Sequence, residues 1–109
     1  MADPTVNQLV HDHEKVFLPE KAAGIEAVIQ YRLTGAEAGD YIITIKDAKC
    51  TVTEGIAPSP KMTITADGND FRNLLLGRLD PMMAFMQGKI KIAGDINLAM
   101  KLTTLFKMK

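Results

Sequence analysis

The chain has 109 residues, 47% of them apolar, and its 13 basic and 13 acidic side chains leave no formal net charge. That length suits one domain, since domains commonly run about 100–150 residues. No apolar run reaches the roughly 18 residues of a membrane span, no dense Lys/Arg patch with interleaved aromatics points to nucleic acid, and Met1-Ala2-Asp3-Pro4 lacks a secretory start.

Thr5 to Phe17 predicts an amphipathic helix, because Val6, Leu9, Val10, His13 and Phe17 recur at three- and four-residue spacing. Pro19 ends or redirects it. Ile25–Leu33 alternates: Ile25, Ala27, Ile29, Tyr31 and Leu33 form an apolar face, while Glu26, Gln30 and Arg32 point the other way. A hairpin loop over 34–40 leads to a strand at Tyr41–Lys46. The tight turn Asp47-Ala48 leads to another at Lys49–Glu54, with Cys50 and Val52 inward. A longer loop with Pro58 and Pro60 precedes the strand Met62–Ala66.

The pattern then changes. Asp67 is the N-cap candidate of a helix lined by Phe71, Leu74 and Leu75 and stopped by Gly77. Asp80-Pro81 opens a second helix, with Pro81 at the first helical position, and Gly88 closes it. Lys89-Ile90-Lys91-Ile92 is a fifth strand, and Gly94-Asp95 caps a last helix from Ile96 to about Lys107. The order predicts an α+β fold with one five-stranded, mostly antiparallel sheet and helices on one face. Arriving after a long helical crossover, the fifth strand can pair parallel to a strand distant in sequence.

The chemistry of catalysis is sparse. Neither a Walker-type phosphate loop nor a Gly-x-Gly-x-x-Gly turn is present. Cys50, mid-strand and the sole cysteine, reads as a buried structural thiol, and its solitude fits a reducing, cytoplasmic setting. His11 and His13 diverge on a helix and cannot share a metal; His11 reads as solvated and His13 as a satisfied core histidine. No acid interrupts the apolar face of a strand. No cofactor or metal is implied. Charge is uneven along the chain, with seven acids in residues 1–40 and five lysines against Asp95 in residues 82–109. The basic end reads as a solvated face or as one that meets anionic head groups.

The apolar inventory says more. Met82, Met83, Met86, Met100 and Met108 are five of the seven methionines, and Met82, Met83, Phe85 and Met86 crowd nearly all sides of a two-turn helix. Such a helix is buried all round or faces a partner or ligand on its second side. Methionine adapts to either task, and composition leaves both open.

The run Gly77-Arg78-Leu79-Asp80-Pro81, Ala84-Phe85-Met86-Gln87-Gly88-Lys89 and Ala99-Met100-Lys101-Leu102, with Met62-Thr63-Ile64-Thr65 and Asp70-Phe71 upstream, resembles the type 2 sterol carrier protein family. The likeness covers residues 5–107. It implies a hydrophobic tunnel between sheet and helices, and non-enzymatic binding and transfer of fatty acid, fatty acyl-CoA, sterol or phospholipid. With apolar position, it implies Phe71, Leu75, Leu79, Met82, Met83, Phe85, Met86, Ile92, Met100, Leu102, Leu105 and Phe106 as tunnel residues. The chain given ends Lys107-Met108-Lys109, without the Ser-Lys-Leu-type address of peroxisomal relatives. It also stops soon after the last helix, so the tunnel is expected to be more open or completed in a homodimer. Lys89, Lys91, Lys101 and Lys107 are candidates for transient contact with a membrane surface. The competing readings are an interaction or dimerisation module with a collapsed tunnel, and a small enzyme of the steroid isomerase kind, which would need a carboxyl group in the cavity.

Overall fold

The computed structural model describes residues 4–106, apart from the side chains of Met100 and Thr103. Two short helices, α1 (Val6–His11) and α2 (His13–Val16), lead into β1 (Ala27–Thr34), β2 (Gly39–Lys46), β3 (Lys49–Glu54) and β4 (Met62–Asp67). Then come α3 (Gly68–Leu75), α4 (Pro81–Met86), β5 (Ile90–Gly94) and α5 (Ile96–Leu105). The strands form one sheet in the order β3-β2-β1-β4-β5.

The predicted α+β architecture is the observed one, but the parallel pair does not involve the fifth strand. β5 runs antiparallel to β4, with Ile64 opposite Ile92, and the parallel partners are β1 and β4, with Tyr31 opposite Ile64. The reason lies in the segment after β3. The β2–β3 hairpin carries the chain to one edge, so the chain must recross the sheet to lay β4 beside β1.

Gln30 holds that return. Expected to point towards solvent, it is buried: its amide donates to the carbonyls of Tyr31, Tyr41 and Gly55, and its Oε1 accepts the Ala57 N–H at 2.7 Å. A lone polar residue on the back of a strand carried no sign of the loop that would cover it.

The first helix also departs from expectation, dividing at Asp12 instead of running unbroken from Thr5 to Phe17. Leu9 O, the carbonyl opposite the His13 backbone in a continuous helix, takes the imidazole Nδ1–H at 2.9 Å. Thr5 and Gln8 form a capping box at the start of α1. After the break, Glu14 reaches the outer edge of β3 and accepts the Val52 N–H at 2.6 Å. An exposed strand edge invites pairing with other chains, and this contact covers part of it. His11 is only half-exposed, its Nε2 lying 3.1 Å from Glu54 Oε2.

The core lies between the helices and the sheet face carrying Ile29, Tyr31, Ile43, Met62 and Ile64, joined by Val6, Val10, Phe71, Leu98 and Leu105. The predicted caps at Asp67, Asp80 and Asp95 all form, each carboxylate accepting a backbone N–H from the first turn of its helix. Cys50 is half-buried against the core, and desolvation pushes its thiol up to about 12, with the nearby Glu14 carboxylate adding to the shift. That fits a structural thiol. Helix α5 ends at Leu105, and Phe106 bridges to Phe17; Lys107 and Met108 lie outside the described residues.

Candidate functional site

The layers do not close on one another everywhere. Between the β1–β4–β5 part of the sheet and helices α3, α4 and α5 lies a cavity of about 510 Å³. Its floor is Tyr31, Ile64, Ile90 and Ile92; α3 contributes Phe71, Leu74 and Leu75, and α5 contributes Ile96, Ala99 and Leu102. Pro81, Met82 and Phe85 of α4 form another wall beside the cap residue Asp80, and His13 and Phe106 complete the lining. The volume falls inside the range of about 300–1,000 Å³ typical of small-molecule sites.

Of the residues expected to line a tunnel, Phe71, Leu75, Met82, Phe85, Ile92, Leu102 and Phe106 meet around this space. Leu79, Met83, Met86 and Leu105 do not border it. Leu105 is completely buried in the core, and Leu79 packs against the core from a partly buried position. Met83 and Met86 are 51% and 76% exposed. Met100 is outside the described side chains. A two-turn helix with apolar residues all round cannot reveal which side meets the sheet, because its periodicity is saturated.

His13, Tyr31, Ile64, Leu74, Asp80, Pro81, Ile90, Ile96 and Ala99 also line the cavity and were not among the expected tunnel residues. The strand residues were hidden in an alternating pattern that marks an inward face without distinguishing filled core from open cavity. For His13 the available signal was its place on the apolar stripe of the first helix.

The cavity has one buried polar corner. His13 Nδ1 is 2.9 Å from a carbonyl, so it carries the proton, and the bare Nε2 accepts the Tyr31 hydroxyl proton across 3.1 Å. The Phe106 ring lies 4.6 Å from the imidazole, and the Phe71 ring 4.8 Å from the Tyr31 ring. Burial lowers the His13 pKa, against smaller opposing effects from the Leu9 carbonyl and Asp12. The imidazole is therefore neutral at pH 7.

This has a consequence for stability. The unfolded chain takes up the His13 proton near pH 6.5, before the folded protein does. Stability is thus full above that pH and lost as pH falls towards the lower folded value. His13→Gln, whose amide can keep both hydrogen bonds without titrating, should flatten the decline in melting temperature between about pH 7.5 and about pH 5. An unchanged acid slope would show that other groups set it.

A second depression, of about 570 Å³, borders Lys61, Asp95 and Lys101 and is more polar. It lacks the continuous apolar walls of the first. Residues 6–107 match the SCP-2 sterol transfer family. The chain belongs to that family.

Its relatives include hydroxysteroid dehydrogenase-like protein 2 of Xenopus tropicalis, 36% identical over 91 residues, which cover 82% of this chain and 22% of that protein. Sterol carrier protein 2 of Homo sapiens is 35% identical over 86 residues, 79% of this chain and 16% of that protein. The chain thus spans about a fifth of the length of such curated relatives. Among solved structures, palmitated SCP2L2 from Aedes aegypti superposes with a TM-score of 0.69 at 25% identity, covering 94% of this chain and 91% of that one. The sheet-and-helix layers described above are the fold that SCP-2 members share.

Proposed function

We propose that this protein is a non-enzymatic lipid carrier that holds an acyl chain or a comparably apolar lipid in the cavity between sheet and helices. The observation that supports this most is the cavity itself: about 510 Å³, walled by apolar side chains from three strands and three helices. The palmitate named for the Aedes aegypti relative has the chemistry such walls accept. Burial contributes about 0.8 kcal/mol per CH₂, so a long chain has ample gross driving force before its ordering costs. Adaptable walls of Met82, Phe85 and Leu102 measure bulk and length more than identity. The dehydrogenase-like and carrier names of the relatives belong to much longer proteins, and the reading extends only to the carrier chemistry. Native mass spectrometry of purified protein, with extraction of any lipid carried along, and titration of delipidated protein with fluorescent long-chain lipids test it. Saturable binding supports the reading; no bound lipid and no saturable binding sink it.

Loading takes place at a membrane surface in this proposal. Met82, Met83, Phe85 and Met86 are all large, apolar and at least 43% exposed, and Met82 and Phe85 also line the cavity. The exposed side of α4 is thus continuous with the cavity rim. Lys89 and Lys91, both exposed, follow it in sequence and suit anionic head groups, each near such a surface contributing about 1 kcal/mol. Met83→Glu with Met86→Glu should leave equilibrium lipid affinity within about two-fold of the original, because neither residue borders the cavity. Transfer to anionic vesicles should slow about ten-fold, as two carboxylates replace apolar anchors. Undiminished transfer would remove α4 from the docking surface. If the wild type proves dimeric and the double variant monomeric, the same patch is a self-association face instead.

A further inference from the structure

The carrier reading leaves open how much of a ligand the cavity takes in, and α5 and the strands beneath it give the space a direction. We propose that the cavity is a one-ended pouch in which Phe106 is the stop that limits the length of chain enclosed. This rests on the lipid-carrier reading and adds a rule of chain length to it.

The long axis of the pouch follows α5. Ile96, Ala99 and Leu102 line the cavity at three-residue spacing, so they form one stripe along a helix of ten residues, about 15 Å from end to end. Phe106 lines it just past the helix end. Beneath, Ile92 of β5, Ile64 of β4 and Tyr31 of β1 stand side by side in register, a row two strand spacings or about 10 Å across. Helix α5 starts directly after β5, which puts Ile96 at the β5 end of that row. Phe106 is at the β1 end, its ring 4.6 Å from the imidazole of His13, which in turn meets the Tyr31 hydroxyl.

The two ends differ in exposure. At the first turn of α5 the cavity borders Ile96, which is 47% exposed, and with it Met82 and Phe85, the exposed lining residues of α4. At the β1 end it borders Phe106, 4% exposed, with His13, Tyr31 and Phe71, all buried. A chain that enters past Ile96 meets a wall of rings at the far end.

Phe106 is the part of that wall that can be shortened cleanly. Its place is fixed through the backbone, by the bridge to Phe17 and by the Leu18 N–H, which donates to Leu105 O at 2.7 Å. Behind it the Phe17 ring, 5.7 Å away, is only half-buried and does not border the cavity. Trimming the Phe106 ring therefore extends the space towards Phe17 and strands no polar group, whereas trimming Tyr31 or His13 would leave the other without its partner.

The test titrates delipidated protein with saturated fatty acids lengthened two carbons at a time. Wild type should gain about four-fold in affinity per methylene while the chain still finds apolar wall, then stop gaining at a limiting length. Phe106→Ala should move that limit to chains longer by about two carbons or more, through the space its ring vacates. Ile96→Ala, at the open end, should lower every affinity by a common factor and leave the limit in place. Where Phe106→Ala does not fold, Phe106→Leu shortens the same side chain with less loss of packing and should move the limit in the same direction.

A limit unchanged by shortening Phe106 overturns the stop. So does a wild-type affinity that keeps rising with every added carbon, which marks a cavity open at both ends, or an equal shift of the limit in Ile96→Ala. In each of those cases the carrier reading stands. Failure of every chain length to bind the wild type overturns the carrier reading, and the stop with it.

Discussion

Phe85→Glu lowers the affinity for an uncharged long-chain lipid by about 2 kcal/mol, roughly thirty-fold, while the fold persists. Phe85 is suited to this separation because it lines the cavity and yet is 43% exposed. A carboxylate there can turn to water when the cavity is empty, so the empty protein is little affected. With a lipid in place, that carboxylate must lie against hydrocarbon or withdraw and take a cavity wall with it. Met86→Glu, one residue along but on the exposed side of α4, gives the comparison: its affinity stays within about two-fold. Fluorescence titration of both variants, beside their unfolding curves, reads the result. Equal losses in the two, or none in either, would mean that the ligand does not lie against α4.

That contrast depends on a distinction the sequence could not make. Asp67, Asp80 and Asp95 announced three helix starts, and Gly77 and Gly88 two stops, because caps and left-handed turns are local chemistry carried by single residue types. The inward faces of the strands were equally legible as alternation. What is not local escaped. The parallel pairing of β1 with β4 depends on a loop returning across the back of the sheet, secured by one glutamine whose buried amide looks in sequence like any solvent-facing polar residue. Which apolar residues face a cavity depends on where two layers fail to meet. Ile64 and Ile90 were not among the expected tunnel residues, yet both border open space, while Leu105, which was, is completely buried in the core. The methionines divided likewise, Met82 bordering the cavity and Met83 and Met86 exposed without bordering it, because a helix apolar on every side carries no directional signal.

Helix α5 supplies a large part of the cavity wall, so what fixes it to the sheet controls the site. Gly94 ends β5 opposite Met62, and the Asp95 N–H beside it donates to Lys61 O at 3.1 Å. Gly94 has φ +100°, and a Cβ there would overlap that same Lys61 carbonyl oxygen. Gly88 is its natural control: φ is +75°, also left-handed, but nothing lies within 4 Å of where its Cβ would be. Gly88→Ala should therefore cost only the left-handed backbone penalty, about 1–2 kcal/mol. Gly94→Ala carries conformational strain plus the overlap, which adds about 1–3 kcal/mol more.

Such a loss is a large share of the roughly 5–15 kcal/mol that holds a domain together. The backbone can relieve the overlap by drawing Gly94 away from Lys61. That loosens the start of α5 and with it Ile96, Ala99 and Leu102, so lipid affinity should fall in Gly94→Ala and hold in Gly88→Ala. Urea unfolding gives the energies, and lipid titration at a temperature where both variants remain folded gives the affinities. Equal destabilisation of the two would leave backbone conformation as the whole effect and remove the close approach at Lys61 from the account of how the cavity wall is set.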